Sequence, residues 1–358
     1  MPRFATGVVA QVLAEREGVV RLIVRVGDAE RPATAFTKAI GPVAEGDRVV
    51  VNTTAVDLDL GSGGEDFVVW NLEREVAGEL SGGHILKLRY TPWQIDTLVA
   101  EAPESPHHAV LASAASIDGL PVVACGVHSQ IAAVTAVLKC RDPALRIAYV
   151  MTDGAALPLA HSDLVATLRG KGLIDLTITC GHAFGGDLET VNVFSGLAAA
   201  RHVGGAAVAV VAMGPGIVGT ETVLGHTGME QGQTLSATAS LGGLPIAPLR
   251  ISFAEPRERH RVVSHHSLSA LRYGALARSI VAVPRLPGGR EAEVLERLET
   301  AGIAGRHDVR VVDAGETLHA LDHFGLEPIT MGRTVADDPA FHLAAGAAGI
   351  VAVEVAGA

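Results

Sequence analysis

Aromatic residues are scarce in this 358-residue chain, at 4% of the total. Any large core must therefore be built from Ala, Val, Leu and Ile. Cysteine is rarer: Cys125, Cys140 and Cys180 are odd in number and no pair has metal-ligand spacing. Neither a disulfide framework nor a zinc knuckle is expected. Basic residues are outnumbered, 28 Lys and Arg against 39 Asp and Glu, for a net charge of −11. That balance argues against a broad nucleic-acid surface or a polybasic membrane contact. The first residues hold no apolar leader run, and the longest uncharged stretch, 203–220, is broken by Gly214-Pro215-Gly216. A membrane span is not expected there, and the expected location is cytoplasmic.

What is present is aliphatic bulk and glycine. Hydrophobic residues make up 48% and charged residues 19%, so a large core forms and global disorder is excluded. The 41 glycines point to many tight turns between strands and helices. The length suits one large α/β domain with a small additional module.

Residues 7–72 read as β structure. Val8, Val9 and Val12, then Val19, Val20, Leu22, Val24 and Val26, form short alternating runs split by Gly18 and Gly27-Asp28. Glu45-Gly46-Asp47 and Gly61-Ser62-Gly63-Gly64 read as turns. A small β-barrel module over 1–80 is expected, as a scaffold or a binding module. Residues 73–83 read as a linker, 84–91 as a strand, and Pro92 as the opening of a helix to Ala102. From residue 120 the pattern becomes strand–loop–helix. Strands are expected at 121–124, 146–151, 174–179, 206–213, 244–251, 280–283 and 309–312. Helices are expected at 129–139, 162–169, 188–202, 267–278, 291–300 and 316–324. The fold class is therefore α/β: a Rossmann-like, doubly wound, mostly parallel sheet over 84–358, preceded by the barrel. Right-handed crossovers place the strand-to-helix loops on one edge, where such folds bind ligands.

Five of those loops carry chemistry. Gly214-Pro215-Gly216-Ile217-Val218-Gly219-Thr220 matches G-x-G-x-x-G. Glycines let backbone N–H groups approach an anion, so Gly214, Gly216, Gly219 and the Thr220 hydroxyl are candidate ligand contacts, with Glu221 a candidate catalytic carboxylate. The dinucleotide reading is weak. Pro215 removes a donor, later glycines argue against an immediate long helix, and no acidic residue stands near Ser252 for a ribose. No cofactor is assigned. His128, in Cys125-Gly126-Val127-His128-Ser129, is a candidate acid, base or ligand contact; a Ser–His pair would need a third orienting group. Asp153, before Gly154, is a candidate contact or a simple turn residue. Cys180 reads as a buried small residue rather than a nucleophile, and Asp187 as a helix N-cap and candidate ligand contact. The densest polar run, 252–266, offers Arg257 and Arg261 to an anion and His265 and His266 for proton transfer; a solvated loop is the competing reading. The histidine spacing fits no H-x-x-x-H face, so no metal site is assigned.

Several segments are familiar in combination. They are Met151-Thr152-Asp153-Gly154-Ala155-Ala156-Leu157-Pro158, Gly185-Gly186-Asp187-Leu188-Glu189-Thr190-Val191-Asn192, the glycine loop, and Phe253-Ala254-Glu255-Pro256-Arg257-Glu258-Arg259-His260-Arg261 with Ser264-His265-His266. Together they resemble a bacterial family of uncharacterised proteins, the domain of unknown function numbered 3866, over almost the whole chain. The resemblance implies no reaction and transfers no functional residue. The residues themselves lead to an enzyme binding a small anionic metabolite, phosphorylated compounds and nucleotides included, at the C-terminal edge of the sheet. Hydrolase or transferase chemistry fits better than dehydrogenase. The alternative is a non-catalytic ligand-sensing or assembly protein. Partners expected are that metabolite, no nucleic acid and no membrane, with homo-oligomer formation open.

Overall fold

The computed structural model describes residues 1–60, 64–75, 78 and 80–357. The Gly61-Ser62-Gly63 part of an expected turn lies outside them. Alternation of small aliphatic residues along the first strands puts Val9, Leu22, Val24, Val49, Val51 and Val68 in one interior. Strands β1 (Phe4–Arg16), β2 (Val19–Val26) and β3 (Ala29–Ala35) are followed by α1 (Thr37–Ile40), β4 (Arg48–Asn52), α2 (Thr54–Asp57) and β5 (Asp66–Asn71). The strands close into a barrel in the order β1-β2-β3-β5-β4, antiparallel except for the β3–β5 pair. Closure removes the unpaired edges that an open five-stranded sheet would expose. A hairpin, β6 (Ile85–Lys87) with β7 (Ile95–Thr97), follows. No helix forms after Pro92: the β-branched Ile95 and Thr97 pair with β6 instead. Trp93 packs on the barrel core and its Nε1–H donates to the Val69 carbonyl at 3.2 Å.

The rest of the chain holds α3 (His108–Leu111), β8 (Pro121–Ala124), α4 (Gln130–Arg141), β9 (Ile147–Thr152), α5 (Asp163–Gly170), β10 (Leu176–Cys180), β11 (Leu188–Thr190), α6 (Val193–His202) and β12 (Val208–Met213). Then come α7 (Glu230–Ser240), β13 (Leu244–Pro248), β14 (Ile251–Ser252), β15 (Val262–Val263), α8 (His265–Ser269), β16 (Ile280–Pro284), α9 (Arg290–Thr300), β17 (Asp308–Val312), α10 (Glu316–His323) and α11 (Pro339–Ala356). Eight strands form an all-parallel sheet in the order β11-β10-β9-β12-β8-β13-β16-β17. Both faces are covered. Ile147, Tyr149 and Met151 of β9 pack into one core with α4, α10 and α11, while Ala148 and Val150 pack into another with α6. Double-sided burial is why these strands read as unbroken apolar runs. This is the expected Rossmann-like α/β architecture with its N-terminal barrel. The chain divides into two compact units, Met1–Leu98 and Val99–Ala358.

Two local expectations are corrected. The segment 188–202 is not one helix: Leu188–Thr190 is an edge strand, and α6 starts after Asn192. The Asn192 side chain accepts from the Phe194 and Ser195 N–H groups in a capping box, so Asp187 is not the cap. The expected long helix after Ser267 is a short α8 that runs into a π turn over Ala270–Gly274. α11 is long and apolar enough to cross a membrane by length and composition, but two thirds of it is buried inside the protein, as in a core helix.

Candidate functional site

The strand order reverses around β8. The chain runs outward from β8 to β9, β10 and β11, returns as β12 beside β8, and crosses to β13 on the other side. Such a reversal opens a crevice at the strands' C-terminal ends. The pairing of β8 with β13 ends at Val123 and Ile246, and two buried glutamines serve the carbonyls beyond it. The Gln231 amide donates to Ala124 and Pro248, both at 2.9 Å, and Gln130 donates to Leu249 at 3.0 Å. These bonds satisfy backbone groups that the diverging strands leave unpaired.

Two loops rise over this crevice. The β12–α7 loop folds back through an antiparallel bridge between Gly219 and His226, and the Thr220 N–H and hydroxyl both donate to the Gly225 carbonyl. His226 is thereby returned to the base of the loop. The β13–α8 loop is pinched by the β14–β15 pair, where Val262 has φ +63°, a costly backbone for a β-branched residue. Ser264 caps α8 by accepting from the His266 N–H at 3.3 Å, and its hydroxyl also bonds His260 Nδ1 at 2.7 Å. Four imidazoles therefore meet. His226 and His266 stack with centroids 4.0 Å apart, His265 lies 4.4 Å from His266, and His260 lies 4.8 Å from His266.

Beside them is a polar charge network. The Glu255 carboxylate, 1% exposed, accepts two bonds from Arg257 at 2.7 and 3.0 Å and one from Arg333 at 3.1 Å, with Arg250 at 3.7 Å. Asp338 pairs with Arg333 at 3.2 Å and accepts from Ser252 at 2.5 Å. Arg259 pairs with Glu221 at 2.8 Å. Four guanidinium groups thus face three carboxylates. The Arg257 bonds hold the Glu255 carboxyl down at about 2, and burial, with the nearby Arg257 charge, brings Arg250 down to about 10. Burial is also the first cause that lowers His266 to about 2 and His260 to about 3; His226 and His265 are lowered for the same reason. The rings are neutral near pH 7. A cleft of about 70 Å³ opens here, bordered by Gly219, Glu221, Arg257, Arg259, His260 and His266. That volume admits several waters or a small oxyanion.

Of the residues singled out in the sequence, Gly219, Glu221, Arg257, His265 and His266 come together. The others do not join them. Gly214 abuts the Ala156 carbonyl, 2.3 Å from where its Cβ would stand, and Gly216, at φ +109°, faces open space. Thr220 is turned onto its own hairpin. Arg261 is exposed on the flank of the loop. Asp153 accepts from the His182 N–H at 2.9 Å. Asp187 binds the Thr177 N–H and hydroxyl, both at 2.8 Å, and Arg169 at 2.8 Å; it fastens the start of β10, at the opposite edge of the sheet. His128 donates from Nδ1 to the Met213 carbonyl at 3.0 Å and accepts at Nε2 from Ser162 at 2.7 Å, and burial lowers it to about 4. The orienting group for a Ser–His pair is thus the Met213 carbonyl. Yet Ser162 is 3% exposed and its oxygen also caps α5 by accepting from the Val165 N–H, so the pair secures a helix start.

Sequence reading missed His226, Arg250, Arg333 and Asp338. Arg250 had a signal, a cation directly ending the apolar run 244–249. His226 had none, because spacing arguments do not reach across two loops.

Among known families, one model matches the chain: the protein of unknown function DUF3866, over residues 32–349. The chain belongs to that family. No curated protein and no solved structure matches it. The DUF3866 match takes in part of the barrel and all the residues that border the cleft.

Proposed function

We propose that this DUF3866 protein is an enzyme that binds a small anionic metabolite in the cleft between the β12–α7 and β13–α8 loops, with hydrolase or transferase chemistry. The observation that carries the reading is the excess of guanidinium at the cleft. Arg250, Arg257 and Arg259 all border it, where one carboxylate is buried and the other sits at the rim. A guanidinium fork matches phosphate and carboxylate oxygens. Neutral imidazoles on the same wall, His260 and His266, present ring nitrogens that can hydrogen-bond a ligand or a bound water. Histidines with strongly lowered proton affinity converging in one cleft support catalysis over simple binding. The alternative, a non-catalytic sensing or assembly protein, draws support from the exposed apolar tip of the hairpin, Val223 and Leu224, a surface that a partner would cover.

Thermal unfolding with inorganic phosphate, pyrophosphate and a nucleotide panel tests the reading. Near-saturating ligand, at about 100 times its Kd, should stabilise the wild type by about 2.7 kcal/mol. Arg259→Gln, which removes only a rim ion pair, should lose that gain while staying folded. No shift across the panel, or full shifts in both Arg259→Gln and Arg257→Gln, would remove the anion reading. Product detection by mass spectrometry separates enzyme from sensor.

A further inference from the structure

We infer that His226, His265 and His266 together bind one borderline transition-metal ion, of the zinc, cobalt or nickel class. One ring nitrogen from each histidine lies within 4.8 Å of those of the other two. His226 and His266 are buried and His265 half-buried. Nε2 of His265 and Nδ1 of His266 are buried without a hydrogen-bond partner, and the buried His226 ring has one contact, to the Val223 backbone, which leaves its other nitrogen without one. Buried polar atoms are almost always bonded, so orphans gathered in one place point to a partner that is not protein. The buried His307 shows the contrast: its Nδ1 accepts from the Ser279 N–H at 3.3 Å and its Nε2 donates to the Leu271 carbonyl at 3.0 Å. His342 also lacks partners, but it belongs to no such cluster. Convergence of three orphaned rings is what distinguishes this cluster.

The backbone fixes the set in advance. The Gly219–His226 bridge holds one ring, and the Ser264 cap holds the first turn of α8 that carries the other two. The donor set is all imidazole nitrogen, which suits zinc-class ions and not the oxygen-seeking magnesium or calcium. Three protein ligands also leave a coordination position for water or ligand. The proposal stands without the anion reading, because its ligand is the metal alone. If both hold, His260 is the ring left facing the anion beside the metal.

The test uses the full chain, stripped with a chelator and titrated with Co²⁺ alone by visible absorption and with Zn²⁺ alone by calorimetry. Expected are one equivalent bound, a tetrahedral cobalt spectrum, and a rise in unfolding midpoint on adding zinc. His265→Ala, at the half-buried position, should weaken binding at least about tenfold and abolish the zinc-induced rise while leaving the metal-free midpoint near the wild type. His226→Gln should do the same, and its own midpoint reports its folding. His319 and His323 form an exposed i, i+4 pair on α10 that can hold metal adventitiously. His319→Ala should therefore leave the one-equivalent binding intact. No stoichiometric binding by the wild type, unchanged binding in His265→Ala, or binding lost in His319→Ala would each overturn the inference.

Discussion

A Cβ placed on Gly219 would lie 3.0 Å from Nε2 of His266. The ring fills the space a side chain would need, so one glycine of the G-x-G-x-x-G run makes room for a histidine. Gly219→Ala should displace His266 and weaken pyrophosphate binding about tenfold or more, roughly 1.4 kcal/mol. Gly216→Ala meets open space but carries the strain of φ +109°, so it should cost about 1–3 kcal/mol of stability and leave affinity unchanged. Affinity and unfolding midpoint, measured for both variants, check this pair. Equal affinity losses would show that the two glycines act alike.

Glu255 is the buried anion that compensates Arg250, Arg257 and Arg333. Glu255→Gln leaves those charges unbalanced and should destabilise by about 3–5 kcal/mol in urea unfolding, as breaking a buried pair does. Sulfate should raise the midpoint of the variant more than that of the wild type, by standing in for the lost carboxylate. A variant within about 1 kcal/mol of wild type would mean that the network relaxes around the loss.

Ser162→Ala removes an α5 cap and leaves His128 Nε2 unpaired. The expected cost is about 1–3 kcal/mol, with anion affinity and turnover retained. Activity lost without a change in stability would return Ser162 to the chemistry.

How much of this was legible in the sequence follows from burial. Strands such as Val208–Met213, covered on both faces, announce themselves as apolar runs. The core helix α11 does not. Ala344, Ala345, Ala347, Ala348, Ile350 and Val351 are all buried, and a helix apolar on every side has no amphipathic period to read. Asp187 looked like a strand-end residue, but its loop runs back along β10 and ends beside Thr177. Within the site, Arg257, His265 and His266 stood out as a dense polar run after an apolar strand. His226 joins them only because the loops of β12 and β13, on either side of β8, meet above its end.

His342, fully buried in α11, is held by burial down at about 4. An unfolded histidine takes up its proton near 6.5, so between these values the unfolded chain binds more protons than the native one. Stability should be fully present above about 6.5 and fall as pH drops, by up to about 1.4 kcal/mol per pH unit for this group. His128 titrates in the same window. His342→Leu should flatten the dependence of urea unfolding on pH over that range, and an unchanged slope would exclude His342 as a contributor.

The two compact units meet in sequence at Leu98–Val99. Residues 99–358 expressed alone are expected to unfold cooperatively on heating, without the barrel. Insolubility or a gradual melt of that fragment would show that the barrel is needed for the fold of the second unit.

α11 lies against β8, β13, β16 and α4, and it follows every one of them along the chain. On the ribosome, the strands and α4 therefore emerge well before the helix that seals them. Until it docks, the part of the sheet face over β8, β13 and β16 stays bare and is a target for chaperones, so this unit cannot complete folding strand by strand as it is made. A stop codon ahead of Pro339 would leave that surface permanently open, and the truncated product is expected to be cleared or to aggregate rather than to accumulate as a shortened but working protein.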